Sequence, residues 1–223
     1  SEDVANRVYL SCVNPECKRK VALRLMAIDN HIKYDKKHPN NLELRAYDKF
    51  NELLVENITQ HVPYKIKNFQ CDINKLINTN ISSNAYDFRD RFFMAEIKGV
   101  VDILITEFCK YGNARSYLNK HMYKMSDIDL KIFIFQFVTG LVTLQYHIPG
   151  FKHNDIHSEN ILVGSYNLKN KKGVGTNNYI RYRLFEQDFY VPLREYCVKI
   201  YDFDTMSGKN FENTKLDDNL YRK

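Results

Sequence analysis

With 223 residues, 44% of them hydrophobic and 27% charged, the chain can bury one large core or two small lobes, and only 8 Gly and 5 Pro exclude a low-complexity polymer. The formal net charge of +6 comes from dispersed lysines, with small clusters at Lys33, Lys36, Lys37 and at Lys169, Lys171, Lys172. With no basic helical stripe beside them, these read as solvated loop charge, so no nucleic-acid partner is expected. No apolar run is long enough to cross a bilayer and Ser1-Glu2-Asp3 is no signal peptide, so no membrane span and a cytoplasmic setting are expected.

The five cysteines, at 12, 17, 71, 109 and 197, are odd in number and irregularly spaced. No disulfide framework is expected from them, and Cys12 and Cys17, lacking the second Cys or His pair of a tetrahedral zinc site, read as ordinary thiols of a reducing compartment. The chain starts without Met, which reads as a segment of a longer product.

Val8-Tyr9-Leu10 and Val21 to Ile28 read as two strands, joined through turn chemistry at Asn14-Pro15-Glu16 into a hairpin. Residues 40 to 55, with Leu42, Ala46, Phe50, Leu53 and Leu54 at helical spacing, predict an amphipathic helix. A variable stretch is expected up to about residue 90, followed by strands at 92–97 and 100–107. After Gly112 the periodicity changes. Ser126 to Asp129 has capping-box spacing, and Ile128, Ile132, Phe135, Leu141 and Leu144 carry an apolar helical face to Tyr146, where Pro149-Gly150 stop the helix. Ile161-Leu162-Val163 and Val198 to Tyr201 are short apolar runs of strand character. Between them the segment 164–190, rich in Asn, Lys, Gly and Tyr, reads as a long insertion.

Two short sequences carry chemistry. Residues 153 to 160 read His-Asn-Asp-Ile-His-Ser-Glu-Asn, and 199 to 204 read Lys-Ile-Tyr-Asp-Phe-Asp. Phosphoryl transfer from ATP needs little covalent chemistry from a protein; it needs groups positioned and charge neutralised. One carboxylate must orient the acceptor hydroxyl and another must hold magnesium on the phosphates. Asp155 and Asp202 fit those roles, and Asn160, five residues after Asp155, can supply an amide oxygen to a second metal.

A β-rich start with one helix, a connector, a long helix, then His-x-Asp-x-x-x-x-Asn and Asp-Phe-x in that order resembles the protein-kinase fold. Phe151 to Asn160, Tyr190-Val191-Pro192 and Lys199 to Phe203 most resemble the divergent serine/threonine kinase-like proteins of large DNA viruses, over roughly residues 7 to 206. The resemblance implies an α+β, bilobal fold: a small β-rich lobe at 1–107, a hinge at 108–112, and a truncated, mainly helical lobe at 113–223 that contains the insertion and is incomplete. It implies ATP and Mg as cofactors, a protein substrate or a viral structural protein as partner, and a host-cytoplasmic or virion location.

Position by position, Asp155 matches the catalytic-loop aspartate, His153 the brace of that loop, and Asn160 and Asp202 the two magnesium ligands. Thr106-Glu107-Phe108-Cys109 matches the adenine-binding hinge, and Glu43 the helix glutamate that pairs with a strand cation. Arg24 stands where Val-Ala-Ile-Lys places the phosphate-gripping lysine, and a guanidinium is bulkier than an ammonium there. Asp3 to Tyr9 stands in place of the glycine-rich loop yet has no glycine. Asp204 replaces the glycine after Asp-Phe, and Asn154 replaces the arginine that reads activation-loop phosphorylation. Three functions follow from these matches and departures: a weakly active serine/threonine protein kinase, a pseudokinase serving as a binding module, and a small-molecule kinase.

Overall fold

The computed structural model describes residues 7–12, 16–29, 34–72, 99–166 and 178–213. It is an α+β protein built on antiparallel pairing. The described residues fall into two compact units, one drawn from Ser1–Asn51, Tyr64–Phe108 and Phe211–Lys223, the other from Glu52–Pro63 and Cys109–Asn210.

The first unit holds a four-stranded antiparallel sheet of order β1-β2-β4-β3. Its strands are β1 (Arg7–Cys12), β2 (Lys20–Asp29), β3 (Lys65–Asp72) and β4 (Gly99–Glu107). β2 is paired along both edges, with Arg24 opposite Val8 on one side and Leu104 on the other. The sheet thereby fixes Arg24 in a central strand. Helix α1 (Pro39–Val55) begins on a proline, which suits a first helical turn where the missing N–H has no partner to lose. It buries Leu42, Ala46, Tyr47 and Phe50 completely. It ends where Asn57 enters the left-handed region at φ 57° and the Ile58 N–H bonds back to the Leu53 carbonyl at 2.9 Å.

Cys12 and Cys17 form a disulfide with their Cα atoms 4.8 Å apart, which corrects the reading of both as free thiols. The expected β1–β2 hairpin is itself the reason: a chain that reverses within a few residues returns to within disulfide reach. The expected variable stretch contains β3, whose six central and terminal exposed positions leave no alternating pattern to read. The expected strand at 92–97 lies outside the described residues.

The second unit contains α2 (Ala114–His121), a 3₁₀ turn at Met122–Lys124, α3 (Asp127–His147), and strands β5 (Ile161–Ser165), β6 (Tyr179–Leu184), β7 (Gln187–Pro192) and β8 (Tyr196–Ile200). The described residues after Gly112 thus hold two α-helices, one 3₁₀ turn and four short strands. α3 starts with a complete capping box, the Ser126 hydroxyl accepting from the Asp129 N–H and the Asp129 carboxylate accepting from the Ser126 N–H. Its buried face is Ile132, Phe133, Gln136, Thr139, Gly140, Thr143 and Leu144. Ile128 and Phe135 were expected on that face; Ile128 is instead 58% exposed.

α3 packs on β8, and the buried amide of Gln136 accepts from the Val198 N–H at 2.9 Å. β8 pairs antiparallel with β5, Ile161 opposite Ile200. β6 and β7 form a hairpin whose two turn residues, Phe185 and Glu186, both have positive φ (48° and 65°), the backbone of a type I′ turn made without glycine. The core of this unit joins Ala114, Phe133, Ile161, Val163, Tyr196 and Val198.

Candidate functional site

The β5–β8 pair positions the candidate catalytic residues. Asn160 immediately precedes β5 and Tyr201 immediately follows β8, and the Tyr201 N–H bonds to the Asn160 carbonyl at 3.0 Å, adding a rung beyond the strands. Asp202 therefore leaves the sheet beside Asn160. Its backbone is left-handed at φ 66°, which turns the chain sharply just past the strand.

The loop 152–160 closes on itself around Asp155. The Asn160 amide donates from Nδ2 to the Asp155 carbonyl at 3.1 Å and to its Oδ2 at 2.9 Å. With the amide nitrogen so committed, the amide oxygen is the atom Asn160 can offer a cation. His157 Nε2 lies 3.5 Å from the same Asp155 Oδ2, and its Nδ1 accepts from the Glu159 N–H at 3.3 Å. Nδ1 is thus the bare nitrogen and Nε2 carries the proton facing Asp155. At its far end the loop is tied to α2, where the Arg115 N–H bonds to the Ser158 carbonyl and the Arg115 guanidinium meets Glu159 at 2.8 Å.

His153 is buried beneath this loop. Its Nε2 donates to the Tyr201 carbonyl at 2.9 Å, since a carbonyl can only accept. Burial pushes the imidazole below the ordinary histidine range, against the opposing pull of the Tyr201 carbonyl and of the Asp202 and Asp155 carboxylates. Both aspartates act on one ring, which brings them into a single electrostatic neighbourhood. A Phe203 ring packs 5.2 Å from the imidazole and is itself fully buried.

Within the first unit, Arg24 and Glu43 form a buried ion pair, Nη1 to Oε1 at 2.7 Å, with side-chain exposures of 7% and 0%. Glu107, at the end of β4, accepts from the Tyr64 N–H through its carboxylate at 2.8 Å and donates its own N–H to the Tyr64 carbonyl at 2.9 Å. Cys109 opens the second unit, buried, its carbonyl accepting from the Gly112 N–H at 3.1 Å. The structure therefore brings His153, Asp155, Asn160 and Asp202 together in one unit, and Arg24 and Glu43 together in the other. Thr205 and Ser207, which lace the loop from the far side, carry no motif in the sequence; their bonding partners lie about fifty positions away.

The oxygen donors suit magnesium. Carboxylate and amide oxygens are hard ligands, and magnesium keeps waters and phosphate oxygens rather than demanding an all-protein cage. Among the described residues there is no cluster of three or more His, Cys, Asp or Glu that could hold a metal ion.

No family model matches the chain. It is 29% identical over 197 residues to a protein of Acanthamoeba polyphaga mimivirus named "Putative serine/threonine-protein kinase R400", an overlap of 83% of this chain and 41% of the relative. The chain thus spans about two fifths of that relative's length. Among the described residues no helix is long and apolar enough to cross a membrane.

Proposed function

We propose that this chain carries the catalytic core of a divergent viral serine/threonine kinase that moves the γ-phosphoryl group of ATP to a protein hydroxyl, slowly. The observation that carries the reading is the Asp155–Asn160 hydrogen bond inside a loop whose next backbone rung leads directly into Asp202. The mimivirus relative supports the same class of activity and a viral setting.

In this reading Asp155 orients the acceptor hydroxyl and takes its proton. Asn160 Nδ2 and His157 both approach Oδ2, so Oδ1 is the oxygen suited to meet that hydroxyl. Asn160 through its amide oxygen and Asp202 through its carboxylate would hold magnesium, which when bound neutralises charge on the phosphates. His153, neutral and fixed on Tyr201, holds the loop so that these donors keep their spacing. Glu43 holds Arg24, and Arg24 stands in for the phosphate-contacting lysine. Glu107 and Cys109 supply the backbone that would meet adenine.

Turnover is slow because positioning and charge neutralisation supply nearly all catalysis in this reaction class. Arg24 in the lysine position, the glycine-free stretch from Asp3 to Tyr9, and Asp204 beside the metal ligand each weaken that positioning. The same departures favour a second reading, a pseudokinase that keeps the fold as a binding module for a viral structural protein. No observation favours a small-molecule kinase over these two.

Thermal shift separates the readings at the level of binding. A ligand at a hundred times its Kd stabilises the folded state by about 2.7 kcal/mol. Magnesium with ATP is expected to raise the melting temperature of the wild type and to lose most of that effect in Asp202→Asn. No shift in the wild type would overturn the nucleotide-binding part of the proposal.

A further inference from the structure

The catalytic loop is tied to the segment beyond Asp202 by direct hydrogen bonds. Lys152 and Ser207 exchange both backbone bonds at 2.9 Å, forming a one-rung antiparallel bridge. The Thr205 hydroxyl donates to the His153 carbonyl at 2.9 Å. From the other side, the Asn154 amide donates through Nδ2 to the Thr205 carbonyl at 2.9 Å and to the Ser207 hydroxyl oxygen at 3.1 Å. Asn154 itself is left-handed at φ 65°, a conformation that asparagine tolerates better than most residues with a side chain.

Residues 202–204 are therefore held at both ends by the same loop. Upstream, Tyr201 is fixed by its N–H on the Asn160 carbonyl and its carbonyl on His153. Downstream, Thr205 and Ser207 are fixed on Lys152, His153 and Asn154. We infer that Asn154 is a positioning residue, a built-in clamp that fixes Asp202 through the 205–207 segment with no covalent modification of that segment. The inference rests on the phosphotransferase reading for what Asp202 does, but the clamp is a set of hydrogen bonds and is testable without it. Asparagine meets two demands at once: it accepts the left-handed backbone and supplies an N–H₂ aimed at a carbonyl. Glycine meets only the first. Aspartate matches the shape but offers only acceptors to the Thr205 carbonyl, which turns attraction into repulsion.

The test compares wild type, Asn154→Gly and Asn154→Asp by amide hydrogen exchange and by steady-state phosphate transfer to a generic basic protein. Both variants are expected to exchange the Ser207 amide roughly tenfold faster, the scale set by losing about one ordinary hydrogen bond. Both are expected to lower kcat with the KM for ATP little changed, and phosphatase treatment of the wild type is expected to leave kcat unaltered. Unchanged Ser207 exchange in both variants would overturn the clamp. Full kcat in both, or loss of wild-type turnover on phosphatase treatment, would overturn its positioning role. If the wild type shows no turnover at all, the phosphotransferase reading has failed, and the exchange result alone then decides the clamp.

Discussion

Arg24 sits in the middle of a sheet with its charge inside the protein, and that decides what substitutions there do. Removing one partner of a buried ion pair costs about 3–5 kcal/mol, because the other charge is left unpaired in a poor solvent for ions. With exposures of 7% and 0%, Arg24 and Glu43 are such a pair. Arg24→Ala is expected to destabilise the protein on that scale in urea unfolding. Arg24→Lys keeps the charge on a slimmer head and is expected to retain most stability while raising phosphate transfer severalfold; an unchanged or lower rate would show that Arg24 does not occupy the phosphate-facing position.

His61 offers a second residue-scale prediction. Its Nδ1 lies 2.7 Å from the Val198 carbonyl and so carries the proton, its Nε2 is buried, and burial is the chief cause that drives its pKa from 6.5 down to about 4. The unfolded chain takes up a proton below about pH 6.5 that the folded chain refuses until about pH 4. Stability is therefore full above that window and falls as pH drops through it, by at most about 3 kcal/mol. Urea unfolding at pH 7 and pH 4.5 checks this, and His61→Gln is expected to flatten the slope between them.

At the scale of elements, α3 and β8 meet through a glycine. A Cβ built on Gly140 would lie 2.7 Å from the His61 Cβ, an atom bonded to the backbone that cannot swing away, and 3.1 Å from the terminal Cδ1 methyl of Ile200. Alanine favours helix over glycine by about 1 kcal/mol, whereas overpacking a core costs about 1–3 kcal/mol. The clash is expected to win, so Gly140→Ala lowers unfolding free energy; a gain in stability would mean the helix shifts freely on the strand. Elements were legible in the sequence where the signal is local. Ser126 and Asp129 announce the start of α3 because a capping box is a matter of three positions, and β2 shows itself as an apolar run from Val21 to Ile28 broken only by Arg24. β3 was hidden because only Lys65 on it is buried, leaving neither alternation nor an apolar run. The buried face of α3 was misplaced because apolar residues, such as the exposed Ile134 and Val138, occur all round it while Gln136 and Thr143 lie inside.

For the whole molecule, the candidate site was legible to the extent that its chemistry is written in short spacings. Asp155 and Asn160 are five residues apart, and their hydrogen bond follows from that spacing. Asp202 could be named from its Phe203 neighbour, but its anchoring could not, since Tyr201, Thr205 and Ser207 find their partners about forty to fifty-five positions earlier. The disulfide between Cys12 and Cys17 is not legible from cysteine count and spacing, which argue against a disulfide framework, because it depends on the turn between two strands bringing this one pair together. The most direct test of the central claim is phosphate transfer from labelled ATP to a generic basic protein, with magnesium, by wild type and Asp202→Asn side by side. Slow transfer by the wild type and none by Asp202→Asn is the predicted result, and robust transfer that survives Asp202→Asn would contradict it.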